Sequence, residues 1–423
     1  MKRFHELWII LYGLCAACNA QINLTPSLPE ETGKPTRISP AAVSPISTHT
    51  ATAYRVTPSQ DTPSPIPIPI LSLPTPVVPS LSNIDRPQIV ANPIILNSSI
   101  KILPQNANRL ELAVEIRTGP WDLVTALAWS PDGNILAVAA GERIHLVHAG
   151  EWRLLGSYVI GALTHSLEFS LDGNWLAAGS RDGKVRAWFK PLSSPIPSLD
   201  RQPSVILQAH KKGVNDLAFS PDGGVLASGG NDAVARFWDL GTGQVLGLMI
   251  GGTFAVPSIA FAPDGAVLAV ANGRMIRLRQ VGSERILGSF QAENPLFSLD
   301  YSADGAWLAA GDNQNQVLLW HPDQAFRTGR ELYPEPVKLE AHHGRLGTYR
   351  ALVWDVTFSP DSELLASAGG DMTVRIWDVQ GEDLLVSLFG HTGGVTCVKF
   401  NPLSTALASG GLDGLVRVWK ISP

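Results

Sequence analysis

The residue types best suited to chemistry in this chain are two groups of serine, histidine and aspartate: His210 with Ser228 and Asp232, and His391 with Ser409 and Asp413. In nucleophilic catalysis an imidazole takes the hydroxyl proton and a carboxylate orients the imidazole, so these groups invite a catalytic reading. Glu340, His342 and His343 are further candidate ligands, but three donors at this spacing make a weak zinc pattern, and no metal or cofactor is expected. The chain carries no nucleophile elbow, helix-borne zinc motif, phosphate loop or dinucleotide fingerprint.

Composition narrows the classes. Of the 423 residues 45% are hydrophobic, enough for a large core, while a net charge of -5 and a charged fraction of 16% give no basic field for phosphates. Nucleic acid is not an expected partner. Cys15 and Cys18 lie in the first twenty residues and Cys397 stands alone, so the mature chain cannot form a disulfide framework.

Residues 1–20 read as an export signal: Lys2 and Arg3 precede an apolar run from Leu7 to Leu14, followed by Ala16 and Ala17. That run is too short to span a bilayer. The stretch Leu14-Cys15-Ala16-Ala17-Cys18 resembles the lipoprotein box of bacterial lipoproteins, in which cleavage precedes a cysteine that carries a diacylglyceryl group. The resemblance implies lipidation of Cys18 and residence in the cell membrane or outer membrane, with the lipid as sole anchor. Cys15 replaces the usual leucine, and cleavage after Ala20, giving a secreted protein, is the alternative.

Residues 21–106 hold 16 of the 32 prolines and one of the 39 glycines. Proline lacks the amide donor and fixes its torsion near the polyproline II value, so runs such as Pro63-Ser-Pro-Ile-Pro-Ile-Pro69 form neither helix nor central strand. This reads as a disordered linker with a reach of about 50 Å as a coil and about 250 Å drawn out, the alternative being that its apolar patches Pro93–Leu96 and Ile100–Leu103 dock onto the ring.

From residue 109 to the C-terminus the chain repeats itself. Trp129-Ser-Pro-Asp-Gly133, Phe169-Ser-Leu-Asp-Gly173, Phe219-Ser-Pro-Asp-Gly223, Phe261-Ala-Pro-Asp-Gly265, Tyr301-Ser-Ala-Asp-Gly305, Phe358-Ser-Pro-Asp-Ser362 and Phe400-Asn-Pro-Leu-Ser404 mark seven units. Each reads as short strands punctuated by tight turns. Four antiparallel strands make a blade that cannot cover both its faces, so blades must stack around an axis.

Gly390-His391, Trp377-Asp378 and Trp238-Asp239 complete a pattern that resembles the WD repeat. The resemblance implies an all-β, seven-bladed β-propeller in which an N-terminal strand closes the last blade. Glu111-Leu-Ala-Val-Glu115 stands where Asp383-Leu-Leu-Val-Ser387 stands before the seventh unit, so residues 110–116 are expected to pair with 415–421. It also implies that the serine and histidine groups are structural tetrads with a tryptophan: His210, Ser228, Asp232 and Trp238; His391, Ser409, Asp413 and Trp419; and Ser367, Asp371 and Trp377 with either His342 or His343. A closed chain of hydrogen bonds would satisfy such groups inside a blade, which removes the catalytic reading. Units one and four lack the tetrad and unit two keeps only Asp182 and Trp188, so these blades are expected to be softer. Arg186, Arg236, Arg277, Arg375 and Arg417, each two residues before the tryptophan position, repeat with the fold and read as structural. Asp216 and Asp355, in the first strands, are candidates for a cation or ligand at the channel mouth, and Cys397 reads as an inert small residue.

Departures from the repeat point to partners, because binding residues favour loops on rigid scaffolds. The insertion between units five and six carries His342, His343, Arg345, Tyr349 and Arg350, with Trp354 and Trp121 nearby; aromatic and arginine residues dominate interface energies. The expectation is a non-catalytic protein-binding scaffold, a monomeric ring displayed outside the membrane of a bacterial cell. The alternative is an enzyme, or a small-ligand or carbohydrate sensor, with its site at the mouth of the central channel.

Overall fold

A computed structural model describes residues 87–119, 122–191, 202–250, 252–283, 285–327, 333–342 and 352–423. Its ordered part is the expected ring of seven sheets, six of four antiparallel strands and one of five. The first blade runs Val124–Trp129, Ile135–Ala140, Arg143–His148 and Arg153–Val159, and the others repeat that meander. Among the described residues the helices are one or two turns long, and none could cross a membrane.

Each blade starts with the same turn. In Ser220-Pro-Asp-Gly223 the serine Oγ donates to Asp222 Oδ1 at 2.6 Å, the Gly224 N–H donates to the same oxygen at 3.0 Å, and the Val225 N–H donates to Ser220 Oγ at 2.9 Å. Gly223 sits at φ 71°, a left-handed torsion that costs glycine little. Ser362 and Ser404 adopt the same hand at 66° and 54° where units six and seven lack the glycine. The serine bond holds the Asp222 carboxyl below its ordinary range.

Strand alternation then builds the core. Leu226 packs toward blade two while its neighbour Ala227 packs toward blade four, since successive side chains leave a strand on opposite faces. The buried apolar residues accordingly fall into seven clusters, each joining two neighbouring blades.

Closure follows the predicted register. Leu110–Arg117 lies antiparallel to Leu415–Ile421, with Leu110 opposite Ile421 and Ile116 opposite Val416. Arg417 reaches across the seam to Glu115 at 2.9 Å, and Thr118 Oγ1 donates to the Gly414 carbonyl at 3.0 Å. Blade seven thus takes its fourth strand from the start of the ring.

The linker boundary needs correction. Residues 87–106, assigned to the linker from proline content, belong to the ring. Gln88–Ala91 forms a fifth strand on blade seven, Ile95 and Ile102 are buried in the clusters on either side of that blade, and Lys101 pairs with Asp361 at 2.8 Å. Proline does not oppose this order: Pro93 is the first residue of a helical turn, where the missing amide donor is no loss. Residues 1–86, with the signal, Cys18 and most of the linker, lie outside the described residues. Burying Ile95 and Ile102 contributes about 1.5–3 kcal/mol each. A protein beginning at Ala107 is therefore expected to melt about 5–10 °C below one beginning at Pro87 by calorimetry; equal midpoints would return these residues to the linker.

Candidate functional site

Three hydrogen-bonded tetrads lie inside the blades. In blade three Trp238 Nε1 donates to Ser228 Oγ at 2.9 Å, His210 Nε2 lies 2.9 Å from the same Oγ, and His210 Nδ1 lies 2.7 Å from Asp232. In blade seven Trp419 donates to Ser409 at 3.0 Å, His391 Nε2 lies 2.9 Å from Ser409, and Nδ1 lies 3.0 Å from Asp413. In blade six the histidine is His342, 2.9 Å from Ser367 and 2.8 Å from Asp371, with Trp377 donating to Ser367 at 3.1 Å. Because each indole donates to the serine, the network assigns the serine proton to His Nε2 and the Nδ1 proton to the carboxylate. Burial works against charge on Asp232, yet the bonds from His210 and Arg236 outweigh it and hold the carboxyl below its usual range, while burial pulls His210 down. Ser228, Ser367 and Ser409 are 0% exposed, so these hydroxyls meet no substrate.

His342 was placed in the partner-binding set from sequence, and that is corrected: it is fully buried and committed to its tetrad. The arginines two residues before the tryptophans brace the same aspartates, with Arg186–Asp182 at 2.7 Å, Arg236–Asp232 at 2.9 Å, Arg417–Asp413 at 3.3 Å and Arg375–Asp371 at 3.5 Å.

The remaining blades solve the same problem differently. Blade one pairs His145 Nδ1 with Ser157 Oγ at 2.7 Å, blade two stacks Trp188 on Tyr158 at 4.7 Å, and blade five holds buried Asp312 with Asn294 at 3.0 Å. Blade four has an asparagine, Asn272, bonded to the carbonyls of Phe254 and Ala255. These pairs escape a search for the tetrad because their residues sit at other strand positions.

The seven innermost strands surround a cavity of about 720 Å³ that contains Trp354, Asp216, Asp355 and Cys397 among its lining residues. Each innermost strand presents a free edge whose amides need acceptors. Side chains of the preceding blade supply them: Ser166 accepts from Leu217 N–H at 3.1 Å, Asp216 from Ile259 at 3.0 Å, Ser258 from Leu299 at 3.0 Å, Asp300 from Phe358 at 2.7 Å and Asp355 from Val398 at 3.0 Å. Glu168 accepts likewise from Phe219. Glu168, Asp300 and Lys399 were missed from sequence, although each charge stands one residue before the strand's aromatic, where Ala128, Ala218 and Ala260 are the rule.

Burial pushes the Glu168 carboxyl up to about 8 and Asp300 up to about 6, and like charges nearby add to both. Burial raises Asp216 and Asp355 as well, and lifts the Cys397 thiol to about 12. Burial opposes the charge of Lys399, but the surrounding carboxylates overcome it and raise its proton affinity. Its Nζ lies 3.7 Å from Asp355.

Trp354 therefore lines the channel. His343, Arg345, Tyr349, Arg350 and Trp121 lie outside the described residues. The WD domain, G-beta repeat, matches the chain at residues 114–146, 160–188, 201–239, 284–321, 338–378 and 382–420, together more than half its length. The chain belongs to the WD-repeat family. The stretch without a match, 240–283, contains most of blade four, which like blade one has neither serine, histidine nor tryptophan at the tetrad positions. Among curated WD-repeat relatives, the chain is 26% identical over 260 residues to the Target of rapamycin complex subunit wat1 of Schizosaccharomyces pombe, covering 61% of this chain and 65% of that one. It is 27% identical over 216 residues to the Serine-threonine kinase receptor-associated protein of Gallus gallus, covering 51% and 55%. It is 29% identical over 283 residues to Cell division cycle 20.1, cofactor of APC complex, of Arabidopsis thaliana, covering 64% and 56%. The chain thus spans between half and two-thirds of these relatives.

Two outcomes follow from this WD-repeat interior. Ser409→Ala strands the Trp419 indole and His391 without their partner, and is expected to remove about 2–4 kcal/mol from the stability read by denaturant titration. Glu168 binds a proton more tightly folded than unfolded, so its contribution is complete below its ordinary value and is lost as pH rises from about 4.5 to about 8. Melting curves across that range are expected to fall for the native protein and to flatten for Glu168→Gln; parallel curves would remove this role.

Proposed function

We propose that this protein is a non-catalytic protein-binding scaffold held outside the membrane of a bacterial cell, its lipidated Cys18 as the anchor and its proline-rich segment as the spacer. The observation that carries the binding reading is the confinement of the Ser-His-Asp groups to the blade interior. What the ring offers a partner is its shape and its loops rather than a reactive group. The printed names of two relatives, a complex subunit and a complex cofactor, support assembly with other proteins.

Display outside the membrane is supported by the sequence: Lys2 and Arg3, the apolar run to Leu14, and the cysteine pair ending at Cys18. A lipid anchor buries its methylenes at about 0.8 kcal/mol each. The insertion with His343, Arg345, Tyr349 and Arg350 is the proposed contact surface, its aromatic and guanidinium groups combining apolar area with fixed donors. Trp354 follows it closely in sequence, and Trp121, at the start of the ring, is proposed to join it.

Crosslinked capture of the full-length protein from its own cells, with mass spectrometry of its N-terminus, tests both parts. A diacylglyceryl group on Cys18 is expected, together with a reproducible partner whose recovery falls at least about tenfold for Tyr349→Ala with Arg350→Ala. An unmodified N-terminus after Ala20 would refute the anchor. Undiminished capture by the double variant would refute the contact surface.

A further inference from the structure

The central channel holds more carboxyl groups than its architecture requires. Ser166 and Ser258 accept the next blade's amide through a hydroxyl, yet four blades do the same with carboxylates. Glu168 and Asp300 stand one residue before the strand's aromatic, on blades two and five; Asp216 and Asp355 stand three before it, on blades three and six. Two residues along a strand advance about 7 Å, so the acids form two levels along the channel. At each level the two acids come from blades three places apart in the ring, so they face one another across the axis.

One ammonium, that of Lys399, answers these four carboxyls, and it lies against Asp355. A second observation points the same way. Ser298, 5% exposed and at the upper level on blade five, lines the cavity with its hydroxyl unpartnered, whereas its counterparts Ser166 and Ser258 are bonded. Among the described residues no three carboxylate, histidine or cysteine side chains gather closely enough for a metal ion. Spread acids at two levels suit an elongated organic cation instead; Leu167, Leu217 and Leu299, whose side chains pack in the clusters between blades, are among the lining residues between the levels.

We propose that the channel is a binding site for a linear diamine, one ammonium at each carboxylate level and the methylenes spanning the distance between them. A chain of roughly five methylenes spans that separation, given C–C bonds of about 1.5 Å. The Ser298 hydroxyl accepts from the upper ammonium. Glu168 and Asp300 hold their protons above the ordinary carboxylate range; an arriving cation lowers that affinity, so binding near neutral pH releases protons. The other titratable groups facing the cation are Asp216, Asp355, Lys399, the thiol of Cys397 and, toward the upper mouth, His165.

Calorimetric titration of the full-length protein with 1,5-diaminopentane at pH 7, in two buffers of different ionisation enthalpy, tests this. Saturable one-site binding is expected, at least about tenfold tighter than n-pentylamine at matched ionic strength and accompanied by proton release. Glu168→Gln with Asp300→Asn keeps an amide oxygen for the Phe219 and Phe358 N–H groups while removing charge, and is expected to weaken binding at least about tenfold. Should that variant fold poorly, Lys399→Met serves: freeing Asp355 is expected to tighten binding several-fold. Absence of saturable heat, no preference over the monoamine, or affinity unchanged in these variants overturns the proposal.

Discussion

Everything in this ring rests on the closing seam between Leu110–Arg117 and Leu415–Ile421. A row of blades has two terminal blades, each with one apolar face against water and no neighbour to cover it. Joining the start of the ring to its last blade removes both at once, because it places blade seven against blade one and creates the seventh shared cluster. Arg417 ties the seam to the tetrad logic, pairing with Glu115 across it and with Asp413 inside it. The strap at Gln88–Ala91 and the buried Ile95 and Ile102 then cover the outside of the blade that carries the join.

The same constraint explains what could be read from the residues alone. Blade number, turn positions and closing register are local, periodic signals: Pro-Asp-Gly marks a turn wherever it occurs, and an aromatic precedes it. The tetrads of blades three and seven were equally legible. His342 was ambiguous because its neighbour His343 is identical in chemistry, and only register decides which one faces Ser367 and Asp371. The apolar patches Pro93–Leu96 and Ile100–Leu103 left docking open, but proline content reports only what a segment cannot form, so the strand at Gln88–Ala91 and the places where Ile95 and Ile102 pack were not legible. Glu168, Asp300 and Lys399 were missed because they meet only across the axis, bringing together blades far apart in sequence.

Two kinds of polar interior are at work, with different consequences. In the tetrads every donor meets an acceptor in a fixed chain from indole to carboxylate, so one arrangement is favoured and the blade is stiff. Blades one, two, four and five break that chain and use shorter pairs or aromatic stacking instead, and in blade one the buried His145 Nε2 is left without a partner. The channel is otherwise: its carboxyls satisfy the next blade's amides while buried close to one another, and burial first, with like charges adding to it, raises their proton affinity. Satisfaction of the backbone and balance of charge are separate requirements there, and the first is met without the second.

This separation bears on what the protein can do. The Ser-His-Asp groups of this ring are spent on hydrogen bonds inside its blades, and loops between blades carry variable surface. The insertion after blade five lies between two blades whose outer structure is fixed by Trp320, which donates to the Pro334 carbonyl at 3.1 Å, and by the His342 tetrad. His342 thus does its work from inside: its bonds to Ser367 and Asp371 fix the end of the segment that follows Val337–Glu340 to a rigid blade.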